Sequence, residues 1–328
     1  MSARDIPLSR RSFLSTSAAA VAAGVLAPTL PAQAADFVTI VGGPTGGSFY
    51  PISVAVANAI STALPDTRVQ VQQTGGSNLN VTLVMGGKAE LGIALADVLS
   101  TAMRGADPKR FPKPMQGLRG IASIFPSHVH LMVRADSGIK SIEDLRGRIM
   151  NVGAPGGGSE TNARAILAAS GMSFEDLKRV DFLGAGDAGD AVRNRRIDGF
   201  FLSTGLGAPM VQELQTGVDM VAVPIPAELV KKIGDSAYVA TEIPSGTYQV
   251  QGLPAPGVVV WTQLFCSESH PAEKVRSYLE AIFADLQKFR SGHAALREFS
   301  LERAVQGMPI PLHDGAKTFF AAHGVTAG

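Results

Sequence analysis

Short apolar runs alternate with amphipathic stretches along most of the chain. Residues 37–41 crowd aromatic and β-branched positions together and read as a strand. Residues 42–47, Gly-Gly-Pro-Thr-Gly-Gly, form a turn. A helix is predicted from about Ser48 to just before Pro65, with Pro51 in its first turn, where a missing N–H costs nothing. Residues 68–72 alternate like a strand, Thr74-Gly75-Gly76 is a second glycine loop, and Ser77 is placed to cap a helix running to Gly86. Residues 91–95 give a third strand, and Asp97 is the expected cap of the helix after it. The order is βαβαβα, which predicts a sheet covered by helices.

The same alternation restarts downstream. Residues 128–134 and 149–152 read as strands, and the glycine loop 153–158 opens a helix that Gly171 closes. Further strands are expected over 180–183, 197–202 and 218–223, with helices over 187–195 and 208–215 between them. Ser173-Phe174-Glu175-Asp176 has capping-box form. Residues 257–264 make a strong β run, and 271–290 read as one long amphipathic helix. This last part lacks a third full α/β unit, so it is expected to complete the first one. Two chain crossings, near 126–129 and 240–247, would then form a hinge beside a cleft.

The N-terminus reads as an export signal. Ser9-Arg10-Arg11-Ser12-Phe13-Leu14 is a twin-arginine pattern, and the apolar run after it is too short to span a membrane. Ala32-Gln33-Ala34 fits a small-residue cleavage site. Residues 1–34 are therefore expected to be a Tat-type signal peptide cleaved near Ala34, and the protein to be periplasmic. The expected organisation is lobe I over 35–127 plus 245–328 and lobe II over 128–244.

Charge and composition narrow the chemistry. A net charge of +1 offers no basic surplus for phosphates, so nucleic acid is not an expected partner. One cysteine, Cys266, excludes a disulfide framework within the chain. His128 and His130 share one strand face but have no third ligand nearby, so no metal is expected. The loop 42–48 has no Lys before its Ser, and Phe201-Leu202-Ser203-Thr204-Gly205 lacks the first glycine of a nucleophile elbow. No cofactor motif, metal set or triad order is present, and the reading is a binding protein rather than an enzyme.

What remains is three glycine loops, each following a strand and opening a helix: 42–47, 74–76 and 153–158. A helix start carries unpaired N–H groups and partial positive charge, and glycines let a ligand approach the backbone. The natural guest is a carboxylate or phosphate. Hydroxyls stand at these starts: Ser48, Ser77, Ser159 and Thr161.

Several blocks are familiar together and in order. They are Gly43-Pro44-Thr45-Gly46-Gly47-Ser48-Phe49-Tyr50-Pro51, Thr74-Gly75-Gly76-Ser77-Asn78-Leu79-Asn80, Val129-His130-Leu131-Met132-Val133-Arg134 and Gly153-Ala154-Pro155-Gly156-Gly157-Gly158-Ser159-Glu160-Thr161. Through them residues 36–328 resemble the TAXI family, the solute-binding subunits of one class of TRAP transporters. The resemblance implies an α/β fold of the periplasmic binding protein type II kind, with two lobes, a hinge and a central cleft. It implies capture of a C4–C5 dicarboxylate or 2-oxoacid, with glutamate as a further candidate, and delivery to a TRAP-type integral membrane permease. A periplasmic sensing subunit for a membrane receptor kinase is the alternative.

Carried over by position, the implied ligand residues in one lobe are Gly46, Gly47, Ser48, Phe49 and Tyr50, then Ser77, Asn78, Asn80, Leu95 and Asp97. In the other lobe they are Gly157, Gly158, Ser159, Thr161, Ser203, Thr204 and Gly205. Two departures matter. Leu95-Ala96-Asp97 stands where the family often has Gln before a Ser-Asp pair, and Pro126-Ser127 where it often has Pro-Glu. An amino acid's ammonium wants acceptors and Leu95 offers none. The expectation therefore leans toward a ligand without a free ammonium.

Overall fold

Strands that will be buried on both faces must be apolar throughout, and the third strand shows this: all five residues of Leu91–Leu95 are buried. A computed structural model describes residues 36–45 and 47–325; the expected signal over 1–34, its cleavage near Ala34, and Gly46 lie outside the described residues. The first unit runs β1 (Asp36–Val41), α1 (Phe49–Ala63), β2 (Thr67–Gln72), α2 (Ser77–Met85), β3 (Leu91–Leu95) and α3 (Ala96–Arg104). Then comes β4 (Leu118–Arg134), and the second unit β5 (Ile149–Asn151), α4 (Gly158–Ala169), β6 (Arg179–Asp181), α5 (Ala185–Arg193) and β7 (Gly199–Thr204). It continues through α6 (Pro209–Leu214), β8 (Met220–Ala222), α7 (Ala227–Ile233) and β9 (Val239–Ile243). The chain closes with β10 (Ala255–Ser267), α8 (Ala272–Ala284), α9 (Leu286–Ser291) and α10 (Asp314–Ala322).

The strands form one sheet in the order β2-β1-β3-β10-β4-β7-β5-β6, with β8 on β4 and β9 on β10. β1 pairs in parallel with β2 and β3, and β5 with β6 and β7, as βαβ units require. The long β4 and β10 lie antiparallel between these two groups and join them. Each half of the sheet is covered on both faces. In the first half α1, α8 and α10 pack on one side and α2 and α3 on the other. In the second half α4 and α7 cover one side and α5 and α6 the other. β10 passes from one half to the other around Trp261, opposite Pro126: Val258 and Val260 belong to the second half's core, Leu264 and Cys266 to the first's.

Five expectations are corrected. The second crossing lies at Trp261 within β10, not near 240–247, since Tyr248, Ala255, Val258 and Val260 still pack in the second half. Ser77 does not cap α2; Gly76 holds that position. The strand placed at 128–134 is the end of a 17-residue strand that runs through Gly120 and Pro126. The helix expected over 271–290 is two, because the Asp285 side chain accepts from the Lys288 N–H at 2.9 Å and starts a new one. Asp97 does not cap α3; Leu95 holds that position and Asp97 lies inside the first turn. By contrast, Ser173 and Asp176 do form a reciprocal capping box.

Candidate functional site

The parallel arrangement puts the carboxyl ends of β1, β3, β5 and β7 on the seam between the two halves, where open α/β sheets bind ligands. The three glycine loops meet there. Gly76 has φ +114°, open to glycine alone, and a Cβ on it would stand 3.3 Å from the Gly157 Cα. A Cβ on Gly75 would stand 3.0 Å from the Pro155 carbonyl oxygen. Asn78 spans the seam, donating from its backbone N–H (3.1 Å) and from Nδ2 (2.9 Å) to the Gly156 carbonyl. The Ser48 and Thr204 hydroxyls also pair across it, at 2.6 Å. Arg110 to Glu160, at 2.7 Å, is a further bridge between α4 and the first half.

Between these contacts lies a cavity of about 70 Å³. The first half contributes Pro44, Gly47, Ser48, Phe49, Gly76 and Leu95. The second contributes Gly157, Gly158, Ser159 and Ser203, with Leu183, Ala188, Phe200 and Met210 completing the wall. Three helices of nine or more residues, α1, α4 and α5, begin at this lining. Their first-turn N–H groups have no intrahelical acceptor. The cavity can therefore hold an oxyanion by backbone donors and hydroxyls.

Of the residues expected from sequence, Gly47, Ser48, Phe49 and Leu95 reach the cavity, as do Gly157, Gly158, Ser159 and Ser203. The others have different places. Ser77 is fully buried and accepts from the Leu95 N–H at 3.1 Å. Asn80 donates from Nδ2 to the carbonyls of Gly42 and of Ile93 (2.7 Å) and accepts from the Thr74 hydroxyl at 2.6 Å. Both side chains are spent on the scaffold. Asn78 and Thr161 lie 3.2 Å apart at the seam, and Thr204 is held by Ser48. Tyr50 sits in the first turn of α1, outside the lining. Gly205 is pressed against Ala295, which would stand 2.5 Å from its Cβ.

The sequence reading missed the second half's far wall. One signal was present: Gly184-Ala185-Gly186 follows β6 and opens α5, the same strand–glycine–helix arrangement without a hydroxyl. Phe200, Leu202 and Met210 carried no signal, since a cavity wall and a core have the same composition.

His128 and His130 do not converge on the cavity. The His130 Nδ1 faces the carbonyls of His128 (3.0 Å) and Leu202 (3.2 Å), so it carries the proton. Nε2 then accepts from the Tyr248 hydroxyl at 2.9 Å, and that oxygen accepts from the Ala208 N–H. Burial, helped by His128 itself, pushes His130 down to about 4. Among the described residues no group of three or more His, Cys, Asp or Glu could hold a metal, and no helix is long and apolar enough to cross a membrane.

Asp97 is buried behind the cavity. Its Oδ2 accepts from the Tyr238 hydroxyl (2.6 Å) and Asn162 Nδ2 (2.8 Å), while its Oδ1 has no partner. Burial raises its carboxyl to about 6, against the pull of the Tyr238 hydrogen bond. The folded carboxyl keeps its proton to higher pH than the unfolded one, near 3.9. This group's contribution to stability is thus full below about pH 4 and lost as pH rises through about 6. Asp97→Asn removes that loss. Relative to wild type, the variant should gain about 3 kcal/mol between pH 4 and pH 7 and level off above, as urea unfolding at several pH values will show. A difference independent of pH would mean that Asp97 titrates normally.

The same topology occurs in solved structures. MatC from Rhodopseudomonas palustris, with bound malate, is 19% identical with a TM-score of 0.59, over 80% of this chain and 88% of that one. A protein described as a periplasmic transporter is 18% identical with a TM-score of 0.56, over 89% and 93%. A protein from Bordetella bronchiseptica RB50 is 15% identical with a TM-score of 0.50, over 88% and 98%. The fold is thus periplasmic binding protein-like, of type II: two α/β lobes joined by a hinge, with a central cleft. A model of the NMT1-like family matches residues 40–324, which is nearly the whole of the described fold, and the chain belongs to that family.

Proposed function

We propose that this protein captures a small carboxylate between its two lobes, outside the cytoplasmic membrane, and hands it to a TRAP-type integral membrane permease. The observation that carries this reading is the convergence of the α1, α4 and α5 starts on one cavity at the seam between the lobes. The hinge would lie where β4 and β10 cross together, at Pro126 and Trp261. Ser48 and Ser159, with the N–H groups of Gly158 and of the α1 start, are the proposed ligand contacts; the N–H groups of Gly47 and Gly157 already donate to the Pro44 and Ala154 carbonyls, and the Ser203 hydroxyl to Asn162. The bound malate of MatC, which shares the fold, supports a small organic acid. So does the TAXI resemblance, which points to a dicarboxylate or 2-oxoacid and to the permease class.

The energetics are adequate. A hydrogen bond to a charged oxygen contributes about 1.5–3 kcal/mol, so about four of them can offset a closure cost of several kcal/mol and leave roughly micromolar binding. A thermal-shift screen against small organic acids, followed by isothermal titration, tests the proposal. At least one acid should raise the melting temperature and bind near micromolar, with contraction in small-angle scattering. A screen in which sugars, amines or metals bind and no acid does would end it.

A further inference from the structure

The cavity's charge inventory says more about the ligand than its helix starts do. Among the described residues, none that lines the cavity is Asp, Glu, Lys, Arg or His. Its polar side chains are Ser48, Asn151, Ser159 and Ser203. Asn151 is spent on Leu183, accepting from its N–H at 2.7 Å and facing its carbonyl at 3.4 Å. The Ser203 hydroxyl is spent too, donating to Asn162 Oδ1 at 2.6 Å. Two hydroxyls remain at one end: Ser48 pairs with Thr204, and Ser159 accepts from the N–H of Ser203 beside it. The cavity therefore has one polar end. The rest of its side-chain lining is apolar, with Phe49, Leu95, Leu183, Ala188, Phe200 and Met210 among it.

We infer that the ligand is a monocarboxylate with a short apolar body, an aliphatic acid or 2-oxoacid of about four to six carbons. This rests on the carboxylate reading above and narrows it. One carboxylate takes the two hydroxyls and the α1 and α4 starts. A second carboxylate would lose its water with no cation to replace it. α5 also opens on the cavity, at Gly184 and Ala185, but with neither hydroxyl nor cation nearby. A neutral oxo oxygen suits that place at far lower desolvation cost than a carboxylate does. An ammonium finds no carboxylate in the lining, so amino acids are rejected too. Size favours the small end of that range: about 70 Å³ of such space takes roughly five water-sized groups, near the roughly six heavy atoms of a four-carbon monoacid.

Isothermal titration of the purified protein with isovalerate, 3-methyl-2-oxobutanoate, malate, glutarate and isovaleramide tests this. The two monoacids should bind at least 100-fold more tightly than either diacid, and the neutral amide at least 10-fold more weakly than isovalerate. Diacids binding as tightly as the monoacids overturn the inference and leave carboxylate capture standing. No response to any acid, or an amide as tight as its acid, overturns carboxylate capture itself and this inference with it. Met210→Lys supplies a cation at the apolar wall and should raise glutarate affinity at least 10-fold. A folded variant without that gain removes Met210 from the ligand's far end, against the inference; if the variant does not fold, the wild-type series decides alone.

Discussion

Gly157→Val should hold the lobes apart. Its backbone, at φ −82° and ψ 163°, is one that valine adopts readily, so no conformational strain is added. The effect is steric and falls on groups that cannot yield. A Cβ there would stand 2.9 Å from the Ala154 carbonyl oxygen and 3.1 Å from that of Gly75, in the opposite lobe. Both are backbone atoms of glycine loops already in contact. The Ala154 contact lies within the same loop and bends that loop; the Gly75 contact is relieved by opening the seam, which separates Ser48 from Thr204 and Asn78 from Gly156. Ligand affinity should fall at least 100-fold, about 3 kcal/mol, and the contraction on binding should vanish from small-angle scattering. Gly217→Ala, at a glycine with nothing within 4 Å of its Cβ, is the matched control and should bind like wild type. A Gly157→Val protein that closes and binds normally would mean that the seam seen here is not the closing surface.

The sequence carried the alternation of elements well, because each strand and helix keeps one burial pattern along its length. It carried the glycine loops too, since a strand ending in glycines before a helix is a local arrangement. It failed where the answer lies in a partner distant along the chain. Gly120 and Pro126 look like breakers, yet β4 runs through both. There, backbone pairing with β10 decides: Pro126 stands opposite Trp261 and Gly120 opposite Phe265. Ser77 at a helix start reads as a ligand hydroxyl, and nothing local reveals that the N–H of Leu95 will take it. The second lobe's apolar wall was invisible for a different reason: Phe200 and Met210 are buried whether they face a ligand or a core.

Asn80→Ala is the sharpest case of that ambiguity, because the resemblance makes Asn80 a ligand residue and the geometry makes it scaffold. The side chain is fully buried. Its Nδ2 bonds the Gly42 carbonyl, in the loop that leads to Ser48, and the Ile93 carbonyl of β3; its Oδ1 takes the Thr74 hydroxyl. Truncation leaves these groups without it and opens a void. Thr74 can still donate to the Gly42 carbonyl (2.8 Å), so the loss falls mainly on the Ile93 carbonyl and on the void. At about 1–3 kcal/mol for the buried group left unpaired and about 1 kcal/mol or more for the void, the cost should be about 2–4 kcal/mol, and the melting temperature should drop on the order of 10 °C without ligand. Asn80→Asp should not rescue it, since a carboxylate cannot donate to two carbonyls. Ser77→Ala, which strips one acceptor from the Leu95 N–H, should cost only about 1–2 kcal/mol. Calorimetry of the ligand-free variants decides between the roles. An Asn80→Ala protein that melts within about 2 °C of wild type but no longer binds any acid would return Asn80 to the ligand. The expected result is a loop 42–48 that loosens first, carrying Ser48 with it, so that affinity is lost as a consequence of stability.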